Sequence, residues 1–358
     1  MCAESYLFIP SGRPHTLVAN AAVADGARLA NRLDFLSFRR ERFTVDERGY
    51  RNTPGMRSDR IEALLVGDSF SLGVSLSDED IFSARLNRQL GPVVYNVGSA
   101  FDPRIRAGRM IETARSVGMK NGWILFQVVN REPLEFVAPS SGGSLRHDLR
   151  QQLKNSHSSL VPKFAPAISL LLGIFVHPAA LTRAATLLNM RLQDGRLLPN
   201  PFEYLYSEEE LITGRHVLVY SGDKQFAQNP VGLETTADAL VRLRDELGRN
   251  GYRLAVLLLP NAYSVYYPLY RNRPAADASA AYMAGLTARL SENRVPALNL
   301  LPALRDAARS ELNGGRMIYF SDDAHWNAAG CAIAANLTAP WLGSLLRGSD
   351  PAQDDPLP

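Results

Sequence analysis

Three short, largely apolar runs constrain the fold of this chain more than any other feature of its sequence. They are IEALLV at 61–66, WILFQVV at 123–129 and RLAVLLL at 253–259, and a glycine, an asparagine or a proline follows each run at once. A continuous apolar run of this length is typical of a strand that is buried on both faces, as in a parallel sheet. We therefore expect three central strands that end at these positions.

Segments with a helical spacing of apolar residues follow and separate these strands. The sequence predicts helices over Asp78–Leu90, Arg104–Val117, Thr235–Leu247, Ala280–Leu290 and Ala328–Leu342, and two further short strands over Val93–Val97 and Ala297–Leu300. A glycine directly follows each of the first three helices, as is common at a helix C-terminus. The alternation of strand and helix predicts an α/β fold whose central parallel sheet is covered on both faces.

Three segments lie outside that alternation. Residues 1–60 look like an irregular extension that wraps the domain, residues 131–230 like an inserted cap at one end of the sheet, and residues 346–358 like a C-terminal tail, which leaves 61–345 as the α/β domain. Within the insertion, FAPAISLLLGIFV at 164–176 is too short to cross a bilayer, and a proline and a glycine interrupt it. This run predicts a buried or lid helix, with a membrane-surface contact as the alternative.

The composition excludes several classes of function. The chain has 46% hydrophobic and 21% charged residues, as in a soluble globular protein, and its 39 basic and 36 acidic residues give a net charge of only +3. Because no Lys/Arg tract is present, this balance excludes nucleic acid as a partner. Cys2 and Cys331 lie at opposite ends of the chain, so we expect neither a disulfide framework nor a metal site. The stretch at 67–73 lacks the lysine of a phosphate loop, and no cofactor is expected.

The sequence leaves the cellular location open. No apolar export signal precedes the domain, which is consistent with a cytoplasmic protein. If a targeting segment has been removed, a periplasmic or membrane-associated location is expected instead. Cys2 is a candidate lipid-attachment residue only if the precursor is longer.

Polar residues follow the predicted strands at the positions where an active site is expected. In an open parallel sheet, ligands bind beyond the carboxyl ends of the strands. GDS at 67–69 follows the first strand, Gly98 the second and Asn130 the third, and SDDAH at 321–325 precedes the last helix. Each of these features alone is a common turn or helix cap. Their joint occurrence at one edge of the sheet favours an active site.

Three of these residue types together suit nucleophilic catalysis. A serine hydroxyl becomes a good nucleophile when a neighbouring base takes its proton, and a histidine held by a carboxylate supplies that base. We therefore expect Ser69 as the nucleophile and His325 as the base. Either Asp322 or Asp323 supplies the carboxylate.

The same chemistry requires donors for the oxyanion of a tetrahedral intermediate. The backbone N–H groups of Ser69 and Gly98 and the side-chain amide of Asn130 are the candidates, because they follow three adjacent strands. We expect these three donors to point at one position beside the serine.

Four sequence blocks around these residues resemble those of the SGNH (GDSL-type) hydrolase superfamily. The blocks are VGDSFSLG at 66–73, VYNVGSA at 94–100, FQVVNRE at 126–132 and SDDAHWN at 321–327. The resemblance implies a three-layer, flavodoxin-like fold and a reaction through an acyl-serine intermediate. One departure is that Arg131 and Glu132 follow Asn130, where the superfamily usually has Gly-x-Asn-Asp.

A narrower resemblance is to the SGNH-like proteins of alginate O-acetylation, which modify bacterial exopolysaccharides. DAHW at 323–326 resembles their Asp-x-His-Trp motif, and PNAYSVY at 260–266 resembles Pro-x-Lys-x-x-Val-Tyr, with alanine in place of the lysine. The Asp-x-His-Trp spacing implies Asp323 as the partner of His325, whereas the commonest superfamily spacing implies Asp322. We prefer Asp323.

Aromatic residues beside these motifs are candidate substrate contacts. Tyr266 and Trp326 are the two that we select for carbohydrate binding. The neighbouring Tyr263, Tyr267 and Tyr270 either line a sugar site together with Tyr266 or pack the insertion against the sheet.

The function that the sequence favours is O-acyl (acetyl) transfer to a carbohydrate or exopolysaccharide through an acyl-serine. The expected partners are an acyl donor and a carbohydrate acceptor, together with other polysaccharide-modification proteins. One alternative is an acetylesterase of the GDSL type, which releases the acyl group of an ester substrate to water. A second alternative is a non-catalytic, polysaccharide-binding scaffold on the same fold.

Overall fold

The computed structural model describes residues 15–23, 38–53, 55–98, 104–137, 206–273 and 277–348, with side chains from residue 41 onward. The chain divides into two compact units, and the second, residues 138–199, lies outside the described residues. The apolar run at 164–176 therefore lies outside them too. All features below belong to the first unit.

The described part of the first unit contains eleven strands and nine α-helices. The strands are β1 (His15–Val23), β2 (Phe38–Val45), β3 (Ala63–Val66), β4 (Val94–Asn96), β5 (Arg104–Arg106), β6 (Gly122–Val129), β7 (Glu135–Val137), β8 (Tyr206–Glu210), β9 (His216–Tyr220), β10 (Tyr252–Leu259) and β11 (Ala297–Asn299). The helices are α1 (Ser69–Leu72), α2 (Phe82–Leu90), α3 (Ala107–Ser116), α4 (Ser221–Gln228), α5 (Leu233–Arg249), α6 (Ala262–Tyr266), α7 (Ala278–Glu292), α8 (Leu301–Asn313) and α9 (Ala328–Leu346).

A five-stranded parallel sheet forms the centre of the domain. Its strand order is β11-β10-β6-β3-β4, and every neighbouring pair in it is parallel. Counted along the chain, this is the order 2-1-3-4-5 of flavodoxin-like folds, in which the direction of winding reverses between the first and third strands, here β3 and β6. The predicted α/β class with a central parallel sheet is confirmed.

The apolar runs of the sequence are the central strands, because both faces of the sheet are covered by helices. Leu64 and Leu65 in β3, Ile124 and Leu125 in β6 and Leu257 in β10 are all fully buried. Helix α9 packs against α2, and α5 packs against α7 and β10. Within the described ranges α9 alone is long and apolar enough to cross a membrane, and half of its apolar window is buried inside the protein.

Several elements differ from the sequence-based expectations. The expected helix from Arg104 begins only at Ala107, because Arg104–Arg106 forms strand β5 against β7. Helix α8 was not predicted, although its proline lies at a position that suits the first turn of a helix. Residues 206–228, within the predicted insertion, form β8, β9 and α4, and α4 contacts α6 and α7.

The N-terminal segment contains regular structure where an irregular extension was expected. Strands β1 and β2 pair in antiparallel register, from His15 opposite Val45 to Val23 opposite Phe38. The pairing shifts register between Ala19 and Ala22. This irregularity interrupts the alternation by which a strand is usually detected in a sequence.

A buried arginine fixes the N-terminal segment to the loop after β3. The side chain of Arg51 is 1% exposed and forms an ion pair of 3.3 Å with Asp78. It donates to the carbonyl oxygens of Leu72 (3.1 Å), Gly73 (2.6 Å) and Leu76 (2.5 Å). Leu72 ends α1 and the other two residues follow it, so Arg51 holds the C-terminal end of the short helix that begins at Ser69.

Candidate active site

The serine turn lies at the carboxyl end of β3, where a sharp turn leads into α1. The side chain of Asp68 accepts a hydrogen bond of 3.0 Å from the backbone N–H of Phe70, which caps this short helix. A Cβ atom on Gly67 would lie 2.9 Å from Cβ of Gln127, closer than real Cβ atoms approach. Glycine is therefore required at this position, and Ser69 occupies the first helical position.

The structure brings Ser69, His325 and Asp323 together in one chain of hydrogen bonds. Ser69 Oγ lies 2.7 Å from His325 Nε2, and His325 Nδ1 lies 2.6 Å from Asp323 Oδ1. With a proton on Nδ1 facing the carboxylate, the lone pair of Nε2 faces the serine hydroxyl. This is the geometry that a serine nucleophile and its general base require.

The loop that carries the histidine is held by its own backbone and by a helix cap. Phe320 N–H donates to the carbonyl oxygen of His325 (3.0 Å), and Asn327 caps α9 by accepting from the N–H groups of Ala329 and Gly330. The backbone N–H of His325 also donates to Asp323 Oδ1 (3.2 Å). Because these bonds fix the loop on both sides of the ring, the imidazole is oriented before substrate binds.

The surroundings of His325 favour its protonated form. Burial acts to lower the pKa of His325, but the charge and the hydrogen bond of Asp323 outweigh it, and the pKa is raised above its ordinary value. Asp322 and Asp323 are both fully buried, but the carboxylate that is hydrogen-bonded to Nδ1 of the imidazole is that of Asp323. The ring also lies 4.8 Å from the ring of Phe70. The imidazolium that forms during a reaction is thus stabilised.

Two of the three expected oxyanion donors are engaged elsewhere. The N–H of Gly98 donates to Asn96 Oδ1 (2.8 Å). The side-chain amide of Asn130 donates to the hydroxyl groups of Ser264 (2.9 Å) and Ser279 (2.7 Å). The expectation that these groups point at the serine is therefore not met. By contrast, the N–H of Ser69 has no hydrogen-bond partner among the residues that the structure describes.

Asn130 instead joins the ends of two strands. Its Oδ1 accepts the backbone N–H of Asn261 (2.7 Å), which fixes the orientation of the amide, and Asn261 Nδ2 donates to the carbonyl oxygen of Asn130 (2.8 Å). Asn261 follows β10, whereas Ser69 follows β3 on the other side of β6. The side chain of Asn130 thus points away from the serine.

The two aromatic residues selected for carbohydrate binding are core residues. Tyr266 is fully buried, and its hydroxyl accepts the backbone N–H groups of Ile318 (3.0 Å) and Tyr319 (3.2 Å). Trp326 is 1% exposed and packs against the rings of Phe70 and Phe82, at centroid distances of 5.4 and 5.5 Å. Neither side chain presents a face to a ligand, so both expectations are corrected.

The remaining tyrosines of that cluster are buried as well. Tyr263, Tyr267 and Tyr270 are each at most 7% exposed. The rings of Tyr263 and Tyr270 stack with centroids 5.1 Å apart. Of the two alternatives for this cluster, packing inside the domain is the one that the structure supports.

Arg131 lies at the same strand ends, although the sequence motifs do not select it. Its guanidinium donates to both carboxylate oxygens of buried Asp223, at 2.6 and 3.2 Å, and stands 5.3 Å from the centroid of the Tyr220 ring. Burial raises the pKa of Asp68, and the charge of Arg131 partly offsets that rise. The charge of Arg131 also acts to lower the pKa of His325. In the sequence, Arg131 could have been selected because it is the second residue after a central strand.

Comparison with known families agrees with this geometry. Residues 218–353 match the family model of the SGNH hydrolase-like domain of the acetyltransferase AlgX. The C-terminal part of the chain is thus similar to an SGNH hydrolase-like domain. The suspected resemblance is confirmed, and it supports a general acetyltransferase- or esterase-type function. The matched range includes Asp323 and His325, and Ser69 precedes it.

Comparisons with curated proteins and with solved structures add little to this family match. No curated protein is significantly similar to the chain in sequence. One crystal structure has a TM-score of 0.34 and 13% identity, over 80% of this chain and 98% of that one. The YXIM protein of Bacillus subtilis has a TM-score of 0.37 and 10% identity, over 84% of this chain and 58% of its own. Because both TM-scores are low, the fold is defined here by the strand order of the protein's own central sheet.

The described residues offer no metal site. Among the described residues, no group of three or more His, Cys, Asp and Glu side chains is arranged to hold a metal ion. The groups that the site presents for chemistry are the serine hydroxyl, the imidazole and its carboxylate.

Because Asn130 forms several buried hydrogen bonds, we expect its substitution by alanine to affect stability more than activity. In Asn130→Ala, the backbone N–H of Asn261 and two serine hydroxyls lose a buried partner, so we expect the free energy of unfolding to fall by about 2–4 kcal/mol. The value of kcat should change less than about tenfold. Denaturant unfolding and ester kinetics measure the two quantities.

An oxyanion role for Asn130 predicts the reverse result. Loss of one oxyanion donor lowers kcat by about a hundred- to a thousandfold while stability changes little. Asn299→Ala is the matched control, because it removes only the hydrogen bond to Leu301 N–H at the end of β11, and about 1 kcal/mol is expected.

Proposed function

We propose that this protein transfers an acyl group, acetyl in the first instance, to a carbohydrate hydroxyl through an acyl-serine intermediate. The observation that carries the proposal is the continuous chain from Ser69 Oγ through His325 to Asp323. The AlgX-type match supports acetyl transfer as the reaction class, because the family model describes the domain of an acetyltransferase. In this proposal Ser69 is the nucleophile and His325 the general base.

The first half-reaction follows from the proton positions in that chain. Ser69 Oγ attacks the carbonyl carbon of the acyl donor while its proton passes to His325 Nε2. The bond to the leaving group then breaks, and the same imidazolium returns the proton to it. Asp323 holds the Nδ1 proton and stabilises the imidazolium throughout.

Oxyanion stabilisation in this proposal depends on fewer donors than the superfamily blocks suggest. The backbone N–H of Ser69 is the first N–H of α1 and is not used within the described structure. Arg131 follows the same central strand, but its guanidinium donates to both carboxylate oxygens of Asp223, so its charge is already paired. We assign the support of the oxyanion to the backbone N–H of Ser69.

The second half-reaction decides between a transferase and an esterase. The acyl-serine is resolved by attack of a carbohydrate hydroxyl or of water, with His325 again as the base. The Asp-x-His-Trp segment and the AlgX-type match favour the carbohydrate. An esterase remains the alternative outcome of the experiment that follows.

The test measures where an acetyl group goes. The protein is incubated with a nitrophenyl acetate and a series of uronate or neutral oligosaccharides, and free acetate and acetylated oligosaccharide are both quantified. A transferase diverts an increasing share of acetyl to one acceptor as its concentration rises, at constant nitrophenol release. If all acetyl goes to water with every acceptor, the protein is an esterase. If nitrophenol release by the wild type equals that of Ser69→Ala, the protein is a non-catalytic scaffold.

The raised pKa of His325 predicts the pH dependence of this reaction. The base must be neutral to accept the serine proton, so kcat/KM is expected to fall as the pH drops through the pKa of His325. Because Asp323 raises that pKa, the inflection should lie at a higher pH than the ordinary value for a histidine. Initial rates from about pH 5 to 9 measure it; an inflection below the ordinary histidine value contradicts the assigned pair.

A further inference from the structure

A cavity lies at the point where the winding of the sheet reverses. Its volume is about 130 Å³, and it is lined by Val66 and Gly67 at the end of β3 and by residues 126–129 at the end of β6. Helix α3 contributes Met110 and Arg109 to its wall. In flavodoxin-like sheets, ligands bind beyond the carboxyl ends of the strands at the point where the strand order reverses.

Most of the cavity wall is apolar. Val97, Ile105, Met110, Phe126 and Leu134 all contribute side chains to it. An apolar cavity of about 150 Å³ holds a molecule of benzene, so a cavity of this volume has room for about five non-hydrogen atoms. Beyond its carbonyl group, an acetyl group has only one methyl carbon and would leave most of this space empty.

Two buried polar groups in the wall lack a hydrogen-bond partner. Asp68 is 5% exposed and Gln127 is 4% exposed, and both line the cavity. Neither Asp68 Oδ2 nor Gln127 Nε2 has a partner among the residues that the structure describes. Their other polar atoms are used, since Asp68 Oδ1 accepts from Phe70 and Gln127 Oε1 accepts from Ser71. Buried polar groups are rarely left unpaired, so this pair indicates a ligand that completes it.

The chemistry of the two atoms defines the ligand. A carboxylate oxygen accepts a hydrogen bond, and an amide N–H donates one. A hydroxyl group does both at once, because it donates to Asp68 Oδ2 and accepts from Gln127 Nε2. A plain hydrocarbon would leave both atoms unpaired.

The turn that carries Ser69 also forms part of the cavity wall. Asp68 directly precedes Ser69 and caps α1, and Gln127 holds the hydroxyl of Ser71 in the same helix. We propose that the cavity binds the distal part of the acyl group, and that this acyl group is a short hydroxyacyl of about four carbons, such as 3-hydroxybutyryl. The inference rests on the proposed acyl-serine function and identifies its acyl substrate.

The test compares nitrophenyl esters of acetate, butyrate and 3-hydroxybutyrate. In each, Ser69 Oγ bonds to the acyl carbon, nitrophenolate leaves with the electrons of the broken C–O bond, and His325 takes the serine proton. Water then restores the serine and releases the acid. We expect the wild-type kcat/KM for 3-hydroxybutyrate to exceed that for butyrate at least tenfold, and acetate to be a poorer substrate than 3-hydroxybutyrate.

Two variants separate the hydroxyl contact from the available volume. Gln127→Met keeps the size of the side chain and removes the donor, so the preference for 3-hydroxybutyrate over butyrate should fall to about threefold or less. Met110→Trp narrows the cavity from α3, so kcat/KM for both four-carbon esters should fall at least tenfold more than kcat/KM for acetate. Thr287→Val, on α7 and outside the cavity wall, is the matched control and should leave the ratios unchanged.

The outcomes distinguish this inference from the proposed function. If acetate hydrolysis depends on Ser69 but the wild type shows no preference for the hydroxyl group, the inference is overturned and the acyl-serine function stands. An equal response of all three esters to Gln127→Met also overturns it. If no ester is hydrolysed in a Ser69-dependent way, both fail together.

Discussion

Ser69→Ala is expected to lower kcat/KM for a nitrophenyl ester by about ten-thousandfold or more. The variant removes the only atom that forms a covalent bond with substrate in the proposed reaction, and loss of a serine nucleophile has effects of this size in other serine hydrolases. The side chain is small, so stability should change little. Steady-state kinetics on the purified variant measure the loss.

Ser71→Ala is the matched control for this substitution. Ser71 lies in the same helix α1, but its hydroxyl contacts Gln127 and not the imidazole. Its rate should remain within about tenfold of the wild type. A serine-reactive phosphonate provides a second measurement: labelling of Ser69→Ala at the wild-type rate would show that another residue is the nucleophile.

Asp323→Asn is expected to lower kcat by about a thousand- to ten-thousandfold. An amide in place of the carboxylate no longer stabilises the imidazolium and donates a hydrogen bond to Nδ1, which selects the wrong tautomer for attack by Ser69. The inflection of the pH profile should also move to lower pH. Asp323 is the group that raises the pKa of His325, and burial, which lowers it, remains.

Asp322→Asn distinguishes a specific contact from the loss of any buried charge. Asp322 is buried to the same extent and precedes Asp323 in the same loop. We expect a much smaller loss in kcat and an unmoved pH inflection. Thermal unfolding of both variants shows whether they are folded. If Asp322→Asn has the larger effect on kcat at equal stability, the assignment of the carboxylate is wrong.

The sheet and the position of the site follow from the sequence because both depend on local pattern. Leu64, Ile124 and Leu257 belong to uninterrupted apolar runs, and such runs fit only strands that are covered on both faces. Once the strands are known, topology requires that the residues at their carboxyl ends meet at one edge. Ser69 lies at that edge for this reason, and the loop before α9 brings His325 to it.

The direction in which a side chain points at that edge depends on tertiary contacts, and the sequence predicts this direction wrongly at several positions. Asn130 follows the expected strand, but Asn261 and Ser264 beyond β10 offer its amide better-satisfied hydrogen bonds than a position beside Ser69 does. Tyr266 and Trp326 belong to recognisable motifs, yet those motifs describe packing. Whether an aromatic ring faces solvent or core depends on neighbours that are distant along the chain.

The distance along the chain between Ser69 and His325 has a consequence for the newly made protein. The two residues that share the hydrogen bond are 256 positions apart, and the loop with the histidine is fixed in part by the cap of the last helix. During synthesis, Ser69 leaves the ribosome long before His325 exists. Until α9 has docked, Ser69 is an ordinary alcohol, so under the proposed function a stalled or truncated chain is expected to be inert toward esters, and the appearance of activity is expected to report completion of folding.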